Sequence, residues 1–287
     1  MKQTVIPIQR VIQNVDRIVK PSELDNSPLL YVTGAPFLTI QGEGPEAGKP
    51  AWFVRLAGCN FGDKTTAEKS PGMCAFCDTN FKLSEATEYD PSFLLRSIIE
   101  DERFDASQIL VITGGEPTLQ VQTLLRFMNV AAPFFSRIQI ETNGTQARFF
   151  RQAENTAFGL REMLDKTTIV VSPKASELTG TYTPTSETVL RNVFDSTALK
   201  FLISADDPLY NKVPQWAQVF AREHRIPLYV SPIAVYKKPY QGEISSAWDH
   251  DLIDPVATAK NYGYAAQYAI ENGLRLSIQQ HLFCAIA

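Results

Sequence analysis

The sequence predicts an α/β fold of mostly parallel strands arranged as a partial (β/α) barrel. Three observations predict it. Short apolar runs bounded by Gly, Pro or polar residues recur along the chain in the manner of buried strands. Segments with helical spacing lie between several of them, the alternation expected of parallel βαβ units with right-handed crossovers. The short segments TGGEP, ETNG, SPK and VSP all fall at the C-terminal ends of strands, the face on which an α/β barrel builds its sites. With 287 residues the chain has room for one large α/β domain, but eight complete βα units would be crowded, so the barrel is read as partial.

Residues 1–35 carry two Pro-containing stretches and weak periodicity and are read as an N-terminal extension; residues 36–287 are read as the core domain. The expected strands are PFLTIQ (36–41), AWFVRLAG (51–58), QILVITGG (108–115) and RIQIETNG (137–144). TTIVVSPK (167–174), ALKFLIS (198–204), PLYVSP (227–232) and LRLSIQ (274–279) continue the series. Helical spacing covers 91–103, 118–130, 211–224 and 255–273. The last of these has Pro255 near its start and Gly273 at its end, the usual asymmetry of a helix. Residues 175–197, rich in Thr, Ser and Glu, read as a solvent-exposed loop.

Composition narrows the function classes. Apolar residues make up 44% of the chain and charged ones 20%, ordinary for a folded domain. With 27 basic and 31 acidic residues the net charge is −4, which gives no global pull toward nucleic acid or anionic lipid. No apolar run approaches the roughly 18 residues of a membrane helix, and polar residues interrupt the N-terminal stretch every few positions. The expectation is a cytoplasmic protein that acts on a small molecule, with no nucleic-acid or membrane partner.

Three of the four cysteines, Cys59, Cys74 and Cys77, crowd into residues 59–77, while Cys284 sits near the C-terminus. Such clustering points to metal or redox chemistry. Cys74 and Cys77 form a CxxC pair able to chelate one metal centre from a single tight turn. Cys59 joins them across residues 60–73, which include Gly62, Ser70, Pro71 and Gly72, a loop composition. Three thiolates suit a 4Fe–4S cluster with one iron left open to an exogenous ligand. They suit equally a zinc site completed by Asp78 or His281, and the CxxC pair alone suits redox chemistry. Cys284 reads as a small apolar residue outside the site.

The cysteine stretch resembles the radical S-adenosylmethionine enzymes, which place an aromatic residue, here Phe76, before the last cluster cysteine. FLTIQGEGPEAGKPAWFVRLAGCN, followed in order by CDT, TGGEP, ETNGT and SPK, resembles the 7-carboxy-7-deazaguanine synthase family, in the variant with a long insert between the first two cysteines. The resemblance runs from about Phe37 to Ala287 and is densest between 37 and 175. It implies a partial barrel of the radical S-adenosylmethionine type, a 4Fe–4S cluster on Cys59, Cys74 and Cys77, and Mg²⁺ ligated by Thr79. It further implies S-adenosylmethionine contacts from Phe76, Asp78, Gly115, Glu116, Ser172, Pro173 and Lys174. Substrate contacts would come from Ile40, Gln41, Gly42, Glu43, Arg55, Thr113 and the terminal Ala287.

These residue types also make chemical sense by themselves. Gln41 and Glu43 alternate along a strand end, and together they suit a pterin edge, which presents several N–H groups beside a carbonyl; a Gly-rich turn is the plain alternative. Arg55 lies mid-strand, where a guanidinium needs a partner. That partner is a substrate carboxylate, or else Glu43 or Glu141. Gly114 and Gly115 can bring backbone against the methionyl group while Glu116 accepts from its ammonium; a strand-to-helix turn with Pro117 at its first position fits as well. Asn143 reads as a turn residue. Ser231-Pro232-Ile233 lacks the polar side chains expected at such a strand end.

The activity implied by the resemblance is conversion of 6-carboxy-5,6,7,8-tetrahydropterin to 7-carboxy-7-deazaguanine with release of ammonia, in 7-deazapurine (queuosine-type) biosynthesis. Reductive cleavage of S-adenosylmethionine would give a radical that abstracts hydrogen from the carbon bearing the carboxylate, with S-adenosylmethionine regenerated at the end. An unidentified electron donor and a homodimer are implied in the same way. Two other functions fit the cysteines: another radical S-adenosylmethionine enzyme such as a glycyl-radical activase, and a non-catalytic zinc protein.

Overall fold

The structure is a computed structural model. It describes Leu24, residues 27–61, 83–155, 161–176, 181–182, 196–237 and 253–280, and Phe283. The main sheet is built from β1 (Leu30–Thr33), β2 (Phe37–Ile40), β3 (Pro50–Leu56), β4 (Ala86–Tyr89), β5 (Ile109–Gly114) and β6 (Arg137–Thr142). It continues with β7 (Thr167–Val171), β10 (Ser196–Ile203), β11 (Leu228–Pro232) and β12 (Arg275–Leu276). A separate short pair joins β8 (Ala175–Ser176) to β9 (Thr181–Tyr182). The strand order is β12-β11-β10-β7-β6-β5-β3-β1-β4, with β2 also paired to β3. From β3 to β12 along this order every pairing is parallel. β1, β2 and β4 make the antiparallel end. Among the described residues the order does not return on itself, and the fold is α/β with an open, mostly parallel sheet.

Helices cross between the strands: α1 (Pro91–Ile99), α2 (Val121–Ala131), α3 (Ala147–Asn155), α4 (Arg161–Asp165), α5 (Gln215–His224) and α6 (Pro255–Asn272). Their starts are chemically marked. Asp90 caps α1 by accepting from Ser92 and Phe93 N–H, with Pro91 at the first position. Asp254 does the same for α6, which ends at Gly273 with φ of 64°.

The two-residue period of a strand sends alternate side chains to opposite faces. On one face Trp52, Val54, Leu56, Leu110, Ile112, Ile138, Ile140 and Phe201 pack with Leu94, Leu124, Phe127, Phe149 and Phe150 of the helices in one large core. Each such side chain contributes roughly 1.5–3 kcal/mol when fully buried. Among the described residues the opposite face carries small apolar groups: Ala51, Ile109 and Val111 with Phe53; Val170, Ala198 and Tyr229; and Leu202 with Ala175, Tyr210 and Ile233. Between and above them that face is polar. Arg55, Thr113, Gln139, Glu141, Lys200 and Ser231 stand on it, and this is the face that carries the site.

The sheet begins six residues before the boundary drawn from the sequence, because Leu30–Thr33 is a strand of it and Leu30 and Val32 are fully buried. The expectation of an exposed loop over 175–197 is corrected where the span is described: Ser196 and Thr197 open β10. Ala175 is buried, and the Tyr182 ring packs edge-on against Phe201 and Tyr210, at 5.2 and 6.0 Å between centroids. The strand expected over 274–279 is reduced to Arg275–Leu276, both exposed.

Candidate functional site

The C-terminal ends of β3, β5, β6 and β7 lie side by side, and backbone hydrogen bonds stitch the loops that leave them. Gly115 N–H donates to Leu56 carbonyl at 2.9 Å and Glu116 N–H to Gly58 carbonyl at 2.8 Å. Gln120 reinforces this seam from below, its side-chain amide donating to Ala57 carbonyl at 3.1 Å. Gly114 has φ of +115°, and a Cβ there would stand 2.3 Å from Leu56 O. Glycine is therefore required for the two loops to touch.

Glu116 occupies the centre of this seam with no exposed surface. Its Oε1 accepts from Thr118 N–H at 3.0 Å, from the Thr118 hydroxyl and from the Thr142 hydroxyl at 2.7 Å; Oε2 accepts from Asn143 N–H at 2.6 Å. Burial pushes its pKa up, against the pull of these donors from Thr118, Asn143 and Thr142. This is the carboxylate expected from the sequence to accept from an S-adenosylmethionine ammonium. A side chain that presents no surface and already holds four donors ties β5 to β6 and shapes the Gly114–Gly115 loop.

Cys59 follows β3 by three residues and is partly exposed. Its neighbour Asn60 donates to the Thr145 hydroxyl at 2.9 Å and accepts from Asn143 Nδ2 at 2.9 Å. Asn143 Oδ1 in turn accepts from Thr145 N–H at 3.0 Å and from its hydroxyl at 2.6 Å. Asn143, read from the sequence as a turn residue only, thus also anchors the residue beside Cys59. After β7, Ser172 N–H donates to Thr142 carbonyl at 2.8 Å. Lys174 Nζ turns back to Ser172, 2.8 Å from its carbonyl and 2.7 Å from its hydroxyl, and Pro173 between them is buried. Cys74, Phe76, Cys77, Asp78, Thr79 and Ala287 lie outside the described residues. Among the described residues no group of three His, Cys, Asp or Glu side chains forms a metal site.

The second half of the site is the hairpin loop between β2 and β3, which reaches across the polar face of the sheet. Ile40 ends β2, and Gln41 and Gly42 are buried. Gly44, with φ of +72°, rests against Val170 and Gln139, and its N–H donates to the Ser277 hydroxyl at 3.0 Å. Farther along, Glu46 meets Arg137 at 3.2 Å. Glu43 thereby reaches β10 and β11: its Oε2 lies 3.0 Å from Lys200 Nζ and its Oε1 accepts from the Ser231 hydroxyl at 2.8 Å. Lys200 Nζ also lies 2.9 Å from Glu141 Oε2. Glu141 Oε1 accepts from Gln139 at 2.7 Å. Burial alone would drive the Lys200 ammonium toward neutrality, but Glu141 and Glu43 outweigh it and hold the pKa above its ordinary value.

In the sequence Arg55 is the candidate protein partner of Glu43 or Glu141; the structure places Lys200 between them both. Arg55 stands opposite Thr113 on the adjacent strand, its guanidinium 4.4 Å above the Phe37 ring, which stacks on Phe53. Ser231, set aside in the sequence for want of polar company, is fully buried and holds Glu43. Lys200 escaped notice because it stands alone in the apolar run ALKFLIS. The signal was available: an ammonium facing inward from a buried strand needs carboxylates.

No family model matches the chain. It is 31% identical over 254 residues to a 7-carboxy-7-deazaguanine synthase of Rickettsia prowazekii, covering 87% of this chain and 86% of the relative. A second enzyme of that name, from Rhodospirillum rubrum, is 31% identical over 264 residues, covering 88% and 90%. Among solved structures the chain is similar to QueE from Escherichia coli, with a TM-score of 0.49 and 18% identity over 92% of this chain and 99% of that one. With identity at this level across most of both sequences, the chain belongs to the 7-carboxy-7-deazaguanine synthase family.

Proposed function

We propose that the protein converts 6-carboxy-5,6,7,8-tetrahydropterin to 7-carboxy-7-deazaguanine with release of ammonia, as a radical S-adenosylmethionine lyase. The observation that carries this reading is family membership: the relatives bearing that activity in their name align over most of their length and ours. Membership sets aside the glycyl-radical activase and the zinc protein.

The residues fit the groups this chemistry requires. Cys59 presents a partly exposed thiol at the end of β3, beside a loop that glycine alone lets approach. Cys74 and Cys77 would complete the cysteine ligands of a 4Fe–4S cluster, with Phe76 and Asp78 beside them. Bound there, the cluster and S-adenosylmethionine supply a 5′-deoxyadenosyl radical. The backbone of Gly114 and Gly115, held by Glu116 from behind, faces the methionyl group. Ser172, Pro173 and Lys174 line the same side at the end of β7.

The pterin belongs to the polar face beneath. Glu43 and Gln41 read its N–H edge, Ile40, Gly42 and Thr113 frame it, and Arg55 takes its carboxylate as a bidentate partner. Thr79 and the carboxylate of Ala287 complete this reading, Thr79 by holding Mg²⁺ against the substrate. A cytoplasmic setting, a homodimer and an electron donor belong to the same proposal. The protein's share of catalysis is to orient the carboxylate-bearing carbon and to keep water and oxygen away.

Anaerobic incubation of the reconstituted, reduced enzyme with the carboxypterin, S-adenosylmethionine and Mg²⁺ tests the proposal. Carboxydeazaguanine and ammonia are the expected products. Cleavage of S-adenosylmethionine without either would assign the chain a different substrate. A colourless, iron-free protein holding one zinc would overturn the cluster.

A further inference from the structure

We propose that Lys200 is the positioning residue of the substrate pocket, its buried ammonium fixing Glu43 and Glu141 as a matched pair of hydrogen-bond acceptors. The inference rests on the reading of this pocket as the pterin site. The Lys200 side chain is 7% exposed, whereas those of Glu43 and Glu141 are 18% and 16% exposed. The ammonium thus sits behind and the carboxylates stand in front, toward the open face of the sheet. One ammonium bonds to both at 3.0 and 2.9 Å. Each carboxylate is held at its other oxygen too, Glu43 by Ser231 at 2.8 Å and Glu141 by Gln139 at 2.7 Å. Both side chains are therefore fixed in position before any substrate arrives.

The consequence is chemical as well as geometric. Two carboxylates this near a common atom repel each other unless a cation lies between them. Lys200 is that cation, and it leaves both side chains free to act as acceptors toward the pocket. The pyrimidine edge of a pterin offers N–H groups, which two acceptors match and a donor opposes. Lys200 accordingly sets the polarity of the pocket without touching the substrate itself.

The test uses reconstituted holoenzyme, with KM for the carboxypterin, kcat, iron content and S-adenosylmethionine affinity measured in parallel. Lys200→Met is expected to raise KM at least tenfold, with iron content and S-adenosylmethionine affinity within twofold of wild type. Lys200→Arg is expected to recover part of the loss. The double variant Lys200→Met/Glu141→Gln keeps the net charge of the triad and carries the test if the single variant misfolds; its KM should stay raised. Wild-type KM in a folded Lys200→Met or in the double variant would overturn the inference. So would loss of iron, S-adenosylmethionine and carboxypterin binding in equal proportion, the mark of a purely structural lysine. A wild-type enzyme that neither binds nor converts the carboxypterin refutes the pocket's assignment itself, an outcome visible before any variant is made.

Discussion

Gly114→Ala probes the seam between the cysteine-bearing loop and TGGEP. The added methyl would meet Leu56 O at 2.3 Å, Leu56 N at 2.5 Å and Arg55 C at 3.0 Å, all of them backbone. No side chain can swing aside, so either the φ of +115° changes or β3 and β5 part at their ends. The first route costs about 1–3 kcal/mol of backbone strain. The second breaks the Gly115–Leu56 and Glu116–Gly58 hydrogen bonds, each worth roughly 0.5–1.5 kcal/mol. Either route costs about 1–3 kcal/mol, or roughly 2–10 °C in Tm for a domain of this size. Anaerobic thermal melting, with iron content and S-adenosylmethionine affinity of the reconstituted protein, checks this. The melting temperature should fall in that range and S-adenosylmethionine affinity should drop at least tenfold. A variant with wild-type melting and wild-type affinity would refute the claim that this glycine holds the two loops together.

Three further outcomes are expected. Glu116→Gln should destabilise by about 2–3 kcal/mol, since its amide would face the N–H groups of Thr118 or Asn143. Because burial raises the Glu116 pKa, the native state binds the proton more tightly; its contribution is complete below the unfolded value near 4.5 and is lost as pH rises through the folded value. The variant should therefore show a flatter fall of stability with rising pH above that point in denaturant titrations, and an unchanged slope would count against the buried charge. Asn143→Ala should remove one of the bonds that hold Asn60 beside Cys59 and cost about 1–2 kcal/mol; chelator should strip iron from it several-fold faster than from wild type. Asp254→Ala, far from the chemistry, should cost about 1 kcal/mol through the lost cap of α6, leaving kcat and KM unchanged.

The parallel strands were legible because each is an apolar run longer than its neighbours can explain, as in QILVITGG and TTIVVSPK. At the antiparallel end only β2, within PFLTIQ, was legible. β1 is four residues, LYVT, and β4 is ATEY, whose composition gives no burial signal because it closes the edge of the sheet. α3, ARFFRQAEN, carries little helical signal because two adjacent large apolar residues, Phe149 and Phe150, hold it to the core with Ala153. In the site, residues inside dense motifs were found and residues that act singly were missed. Glu43 was legible in QGEG, yet Lys200, which holds it, comes from a strand with no motif around it, and VSP gives no sign that Ser231 meets Glu43. A sequence records which residues are present on a strand but not which strand stands opposite; the chain gives Arg55 and Lys200 equal claim on Glu43, and the tertiary contacts decide.

The reach of the β2–β3 loop also has a bearing on the order in which the protein is completed. The seam around Cys59 and TGGEP joins segments from within residues 56–174, and most of its contacts can form once that part of the chain is available. The loop's own contacts are remote: Glu43 is 157 residues from Lys200 and 188 from Ser231, and Gly44 is 233 from Ser277. Contacts of such separation form late, after the entropy of closing the long intervening chain has been overcome. During vectorial synthesis the cofactor half would therefore mature first, and the loop would lie on an unfinished sheet until β10, β11 and the segment beyond β12 arrived. Pulse-labelled hydrogen exchange should see amides of β5, β6 and β7 protected before that of Gly44. A nascent chain lacking its last strands would thus have its seam assembled while still unable to select a substrate.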